Sequence, residues 1–230
     1  MLISVIIPTR DRPDYLAEAV ASVLVQTHRQ LELLIVNDGS VPVSLPDDNR
    51  VRVLDSGQRG AVPARNMGLD TARGDVIAWL DDDDTWIDAT FLDTAQSVLA
   101  SSGGLVFADG TLIYPDGRTS NFAQNANAVS LENNNTILIS AVCYRKSLHD
   151  ELGLFDKALP YYWDWDWYLR VARSGHNLHR IVRPVVNIRI HENNMSGTIN
   201  VPARTENLNV FATKHGLGKI PLKSHVDFAT

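Results

Sequence analysis

The stretch Asp75–Trp86, "DVIAWLDDDDTW", runs from a short apolar segment straight into four consecutive aspartates, Asp81 to Asp84. A continuous apolar run of this length, with a glycine before it and a polar run after it, reads as a strand covered on both faces. Four adjacent carboxylates at the end of such a strand repel one another. Each is driven to take up a proton unless positive charge sits among them. The sequence assigns that charge to a metal ion.

The flanking sequence places this strand within a larger sheet. "LISVIIP" (2–8) is β-branched and continuous, another fully buried strand, and ends at Pro8. After "TRDRP", Asp11 is positioned to cap a helix that has Pro13 in its first turn and Leu16, Val20, Val23 and Leu24 at helical spacing. "LELLIVNDGS" (31–40) repeats the buried strand, "VRVLDSG" (51–57) is a shorter one, and residues 62–72 carry helix formers up to Arg73 and Gly74. A further helix follows the aspartates, in "DATFLDTAQSVLASSGG" (88–104). Strands alternating with helices predict an α/β fold with a mostly parallel sheet and helices on both faces. In the second half, "PDG" (115–117) predicts a hairpin, residues 121–136 an Asn-rich loop, and "ILISAVCYR" (137–145) a strand. From about Met195 the chain is a weakly helical tail, available to a partner.

Composition narrows the function. At 230 residues and 44% hydrophobic the chain buries a sizeable core as one domain. A net charge of −6 argues against nucleic-acid binding. The single cysteine, Cys143, excludes an internal disulfide and fits a reducing cytosol. No run approaches the roughly 18 apolar residues that a membrane span needs.

In open α/β sheets ligands sit beyond the carboxyl ends of the strands. Four segments should therefore converge on one crevice: "PTRDR" (8–12), "NDGS" (37–40), "LDSGQRG" (54–60) and "DDDD" (81–84). Asp38 suits hydrogen bonding to a nucleobase or ribose, and equally an Asx turn. There is no G-x-G-x-x-G and no P-loop. An EF-hand fails, because Trp86 and Leu92 stand where the calcium loop needs Gly and Glu. "HENNM" from His191 is not a zinc-protease motif. A haloacid dehalogenase-like phosphatase would use Asp81, Asp83 and Thr85 as "DDDDT" does, but at the opening strand of its sheet. In "YYWDWDWYLR" (161–170), Asp166 and Arg170 have the i,i+4 spacing of a helix-surface ion pair. Asp164, between Trp163 and Trp165, suits a general base in an aromatic setting or a helix N-cap, and both readings stay open. His191 follows a β-branched run and is structural unless the acids hold a metal.

The joint order of "SVIIPTRDRPDYLAEAVASVLVQT", "LELLIVNDGS", "GAVPARNMGLDTARGDVIAWLDDDD", "YYWDWDWYLRVARSG" and "IRIHENNMS" resembles the family 2 glycosyltransferases, inverting enzymes of the GT-A type fold. The match spans roughly residues 2–195. It implies a nucleotide-sugar-binding half (about 1–110), a smaller acceptor-binding half (about 111–195) and a tail (196–230). It places Pro8, Thr9, Arg10, Asp38, Arg65, Asp81 and Asp82 on the nucleotide sugar. Asp83, Asp81 and His191 would ligate Mn²⁺ or Mg²⁺, with Asp84 supporting them from behind, and Asp164 would be the catalytic base. Family members often have Glu before that base, where this chain has Trp163. The implied reaction is metal-dependent transfer from a nucleotide-diphosphate sugar (UDP before GDP or dTDP) to a hydroxyl of a saccharide or lipid-linked acceptor. The expected setting is the cytoplasm or its membrane surface, with the tail offering a homodimer contact. A non-catalytic nucleotide-sugar-binding protein stands beside this reading and the phosphatase.

Overall fold

A computed structural model describes residues 1–192, 194–195 and 200–230. The buried runs form strands: β1 (Ile3–Thr9), β2 (Leu31–Asn37), β3 (Val51–Asp55) and β4 (Val76–Trp79). Every residue of β1 and β4 is buried, as expected of strands covered on both faces. The helices α1 (Pro13–Leu24), α2 (Ala61–Thr71) and α3 (Phe91–Ser102) interleave with them. The chain continues through β5 (Thr85–Trp86), β6 (Leu105–Ile113), β7 (Thr119–Phe122), β8 (Val142–Arg145), α4 (Ser147–Leu152), α5 (Trp163–Arg173), β9 (Leu178–Arg189) and α6 (Val201–Lys214).

These strands form one sheet in the order β3-β2-β1-β4-β8-β6-β9-β5, with β7 paired to β6. The first four are mutually parallel, which makes the first half doubly wound. Beyond β4 the pairing is mixed: β4 with β8, β8 with β6 and β5 with β9 are antiparallel, while β6 and β9 run parallel. The aspartates lie between β4 and β5, where the sheet changes character. Pairing of Thr85 with Asn187 brings the carboxyl end of β9, and hence His191, up to them.

Helices cover both faces. Leu16, Val20 and Val23 of α1 pack with Phe91, Leu92 and Leu99 of α3 on one face. Val62 and Leu69 of α2 pack with Trp165 and Trp167 of α5 and Phe211 of α6 on the other. Gly68 lets α2 lie close to the sheet, since a Cβ there would meet Ile6 Cγ2 at 2.6 Å. Among the described residues no helix is long and apolar enough to cross a membrane.

Several local expectations change. Asp11 does not cap α1, which has no side-chain cap and takes its start from Pro13. Asp11 adopts φ 55° and turns its carboxylate the other way, accepting the Ser40 and Val41 N–H groups at 2.8 and 2.9 Å. The segment 137–145 is strand only from Val142, because Ile139–Ala141 forms a 3₁₀ turn beside the acids. Asp166 and Arg170 do pair, at 2.9 Å, but Asp166 is fully buried rather than on a helix surface. The cause is α6, which covers that side of α5 and brings Lys214 and His215 to the same carboxylate at 2.7 and 2.8 Å. Phe211 of α6 stacks on Trp165 with ring centroids 4.5 Å apart. Beyond α6 the chain crosses back over the cleft, and Thr230 exchanges two backbone hydrogen bonds with Asn121 of β7, at 2.8 and 2.9 Å.

Candidate active site

A cleft of about 460 Å³ opens at the carboxyl ends of β1, β2 and β4. Its lining includes Pro8, Thr9, Arg10, Asp38, Arg65, Asp81, Asp82, Asp83 and Asp164. Three of the four strand-end segments thus line the cleft, as the open-sheet rule requires, and the fourth, 54–60, stands behind it with Ser56 and Gly60 on Asp38.

At the end of β2 the Asx turn is made by Asn37, whose Oδ1 accepts the Gly39 N–H at 2.9 Å. Asp38 is therefore left to face the cleft. Its carboxylate accepts the Ser56 hydroxyl and the Gly60 N–H, the latter at 3.1 Å to each oxygen. Arg10 lies 4.0 Å from Asp38 and is largely exposed.

The four aspartates point to four sets of partners, which is how the chain accommodates them. Asp81 takes a 2.5 Å ion pair from Arg65, whose guanidinium also lies 4.3 Å from the Trp163 ring. Asp82 accepts the Thr9 hydroxyl at 2.7 Å and Arg12 at 3.2 Å. Asp83 accepts Arg12 at 2.6 Å and His191 Nε2 at 3.0 Å. Asp84 accepts the Ser140 hydroxyl at 2.5 Å and the Arg189 backbone N–H at 3.1 Å.

These partners leave the cluster unevenly charged. Burial pushes the Asp82 carboxyl up to about 6, partly offset by the Thr9 hydrogen bond. Burial also raises Asp81 against the pull of Arg65, and raises Asp84 well above the carboxylate range, reinforced by the charges of Asp83 and Asp81. Burial would lift Asp83 too, but the His191 hydrogen bond and the Arg12 charge outweigh it and hold this acid low. Oxygens of Asp81, Asp83 and Asp84 lie within 4.8 Å of one another. Burial is the main cause of the raised proton affinity of Asp81 and Asp84, and the like charge of Asp83 adds to it, a deficit that a bound cation would relieve. Hard oxygen donors with that deficit fit a divalent cation of the Mg²⁺ or Mn²⁺ kind.

Asp164 sits in the first turn of α5, buried, and its Oδ2 accepts Asn135 Nδ2 at 3.0 Å. It does not cap the helix, whose N-cap is Tyr162. Burial raises its carboxyl to about 6, with Asn135 and the Trp165 backbone N–H opposing. Its tryptophan neighbours in sequence diverge along the helix, Trp163 toward Arg65 and Trp165 into the core, where its indole N–H donates to Leu131 at 2.6 Å. His191 stacks on Tyr15, with centroids 5.8 Å apart.

Arg12, Ser140, Asn135 and Trp163 hold the site together. Of these, Arg12 carried a sequence signal as the second base of "PTRDR", and Trp163 as the residue before Asp164 in "WDWDW". Ser140 and Asn135 reach the acids across large sequence separations, and no local pattern marks them.

Comparison with known proteins agrees with this geometry. The family model described as "Glycosyl transferase family 2" matches residues 4–148. A Bacillus subtilis protein, "Uncharacterized glycosyltransferase YwdF", is 32% identical over 240 residues, covering 97% of this chain and 88% of its own. Glycosyltransferase GlyG of Streptococcus pneumoniae is 41% identical over 91 residues, 36% of this chain and 30% of its own. Two uncharacterized glycosyltransferases of Rickettsia species are matched over only 15% of their length. Among solved structures, residues 1–349 of Staphylococcus aureus TarS in complex with UDP-GlcNAc superpose with a TM-score of 0.68 at 17% identity, over 93% of this chain and 66% of that one. The mannosyltransferase PcManGT of Pyrobaculum calidifontis, in complex with GDP-Man and Mn²⁺, gives 0.67 at 16%, over 95% and 65%. The fold is thus the GT-A type. The chain belongs to glycosyl transferase family 2, and it is a glycosyltransferase. Membership sets aside the phosphatase reading of "DDDDT", and in the fold these acids follow β4 rather than the opening strand.

Proposed function

We propose that this enzyme moves a sugar from a nucleoside-diphosphate sugar to an acceptor hydroxyl in one inverting, divalent-metal-dependent displacement. The observation that carries the reading is a single cleft lined by two kinds of carboxylate, the Asp81–Asp84 group and Asp164, with the Arg65 guanidinium between Asp81 and the ring of Trp163, the residue before Asp164. Asp38, held by Ser56 and Gly60, accepts hydrogen bonds from the base, with Pro8, Thr9 and Arg10 beside it. Asp81 and Asp83, with Asp84 close by, would hold Mn²⁺ or Mg²⁺, and His191 orients Asp83. When bound, such an ion stabilises the charge that develops on the diphosphate leaving group. Arg65 fixes Asp81 and opposes the effect of burial on it, and Arg12 helps to hold Asp83 ionised.

Asp164 takes the proton of the attacking hydroxyl. A carboxyl near 6 is ionised at neutral pH yet basic enough to accept that proton. Attack from the Asp164 side, opposite the departing diphosphate, inverts the anomeric centre. The two structural neighbours carry UDP-GlcNAc and GDP-Man in their complexes, which supports a nucleotide-sugar donor, UDP-linked first. The acceptor is a saccharide or a lipid-linked sugar reached from the aqueous phase.

A thermal-shift panel of nucleotides and nucleotide sugars, each with Mn²⁺, Mg²⁺ or chelator, tests the reading. Ligands that bind the native state raise the melting temperature. One nucleoside diphosphate should give a shift that chelator removes. The absence of a shift with every nucleotide would contradict the proposal.

A further inference from the structure

The C-terminal segment adds to the cleft a charge of the opposite sign to the rest of the site. Arg204 of α6 joins the lining, and after α6 the chain runs back over the opening and adds Lys223, His225 and Phe228. The segment is tied down at three points. Thr230 pairs with Asn121, the Phe228 carbonyl accepts Gln124 Nε2 at 2.8 Å, and the Lys223 carbonyl accepts Arg204 Nη2 at 2.7 Å.

Lys223 can be placed relative to the base through two consecutive loop residues. Its ammonium donates to Asn134 Oδ1 at 2.7 Å, and the next residue, Asn135, donates to Asp164. Consecutive Cα atoms are about 3.8 Å apart, so the cation stands at the rim on the Asp164 side, where the acceptor must enter. In the other half of the cleft the cations are matched by acids: Arg65 by Asp81, and Arg12 by Asp82 and Asp83. Lys223 differs. Its contacts are an amide oxygen and the Phe228 ring, 5.1 Å away, and among the described residues no carboxylate lies within ion-pairing distance of it. Below it Arg204 is buried, and the buried Tyr162 hydroxyl lies in the same wall within reach of that guanidinium. An ammonium, a guanidinium and a phenol O–H along one wall offer donors and positive charge to an oxyanion.

We propose that the acceptor is anionic, carrying a phosphate or carboxylate beside the hydroxyl to be glycosylated, and that Lys223 holds that group at the cleft rim with Arg204 and Tyr162 beneath it. The inference rests on the reading of Asp164 as the acceptor-side base and adds the acceptor's chemical class. It makes the tail a specificity element of the catalytic domain.

The test uses the full chain, wild type and Lys223→Gln, with UDP and Mn²⁺ present so that the donor phosphate site is filled. Binding of methyl glucoside, glucose 6-phosphate and glucuronate is measured by ligand-observed NMR. The two charged probes should bind at least about tenfold more tightly than the neutral one. In Lys223→Gln that advantage should fall at least about fivefold, with UDP affinity unchanged, as expected when a charge-assisted contact is lost. The stronger of the two charged probes tells phosphate from carboxylate. Equal binding of charged and neutral probes, no binding of any probe in the millimolar range of weak ligands, or an advantage that survives Lys223→Gln would each overturn the proposal. Weakened UDP binding in Lys223→Gln would also overturn it, by moving the lysine to the donor side. Failure of UDP to bind wild type contradicts the nucleotide-sugar reading instead, and the probe comparison is then read on the protein with no nucleotide added.

Discussion

The two halves of the cleft handle charge differently. On the β1–β4 side, acids outnumber bases; Thr9, Arg65, Ser140 and His191 are each committed to a particular aspartate, and Arg12 bridges Asp82 and Asp83. On the α5 side the Asp164 carboxylate is met by the Asn135 amide and the Trp165 N–H, and among the described residues no acid pairs with the lysine at the rim. The first arrangement fixes negative charge in place, as a cation and a diphosphate require. The second leaves a carboxylate basic and an ammonium available, as proton abstraction and acceptor capture require. Arg65 joins the two halves, bound to Asp81 on one side and stacked on Trp163 on the other.

The most severe way to break the first half is Asp83→Ala. It removes the acid that is held ionised by His191 and Arg12, and turnover should fall by about 10³-fold, in line with the several kcal/mol a bound metal contributes. The metal-dependent part of the nucleotide-induced melting shift should disappear with it. Retention of that shift would move the cation elsewhere.

The second half rests on a buried hub, and Asp166→Asn tests it. Burial would raise Asp166, but His215, Lys214 and Arg170 together hold it below the usual range. Breaking a buried pair by removing one partner costs about 3–5 kcal/mol, which denaturant unfolding measures directly. A loss under about 1 kcal/mol would show that α6 is held to α5 by Phe211 and Trp165 alone.

Asp164→Asn should stabilise the protein. The folded pKa of Asp164 is raised to about 6, so the native state holds its proton more tightly than the unfolded chain. Wild type therefore loses stability as pH rises from the ordinary aspartate range through about 6, and above that the loss is complete. The amide carries no such cost. Its gain should be about 3 kcal/mol at pH 7.5, from roughly 1.4 kcal/mol per pKa unit, and should vanish near pH 4. A variant no more stable than wild type at pH 7.5 would mean that Asp164 is not strained by burial.

The gentlest perturbation is pH itself. If Asp164 acts ionised, kcat/KM in wild type should fall about tenfold per unit below about 6 and level off above it. A profile that is flat from pH 5 to 8 would assign the proton to another group.

The first half was largely legible in the sequence. Its strands are continuous β-branched runs, and its ligands follow them directly, so topology alone brings "PTRDR", "NDGS" and "DDDD" together. Local competition was harder to read. Asn37 takes the Asx turn and leaves Asp38 to the cleft, and Asp11 turns to the Ser40 and Val41 backbone instead of α1. The second half was legible only through "WDWDW". Adjacent helical residues point apart, so the aromatic flanks of Asp164 say little about its own surroundings. Those are set by Asn135, and the wall above it by a segment that returns from the far end of the chain to pair with Asn121. Contacts between parts of the chain so distant in sequence leave no periodic trace.

The division of labour between the halves can be tested in one side-by-side experiment. Wild type and Asp164→Asn are compared for affinity toward UDP with Mn²⁺ and for release of nucleoside diphosphate from UDP-sugars in the presence of charged and neutral sugar acceptors. The account predicts equal nucleotide affinity and a turnover reduced by about 10²–10⁴-fold, the usual contribution of a general base. Turnover near the wild-type rate, or nucleotide affinity lost together with turnover, would contradict it.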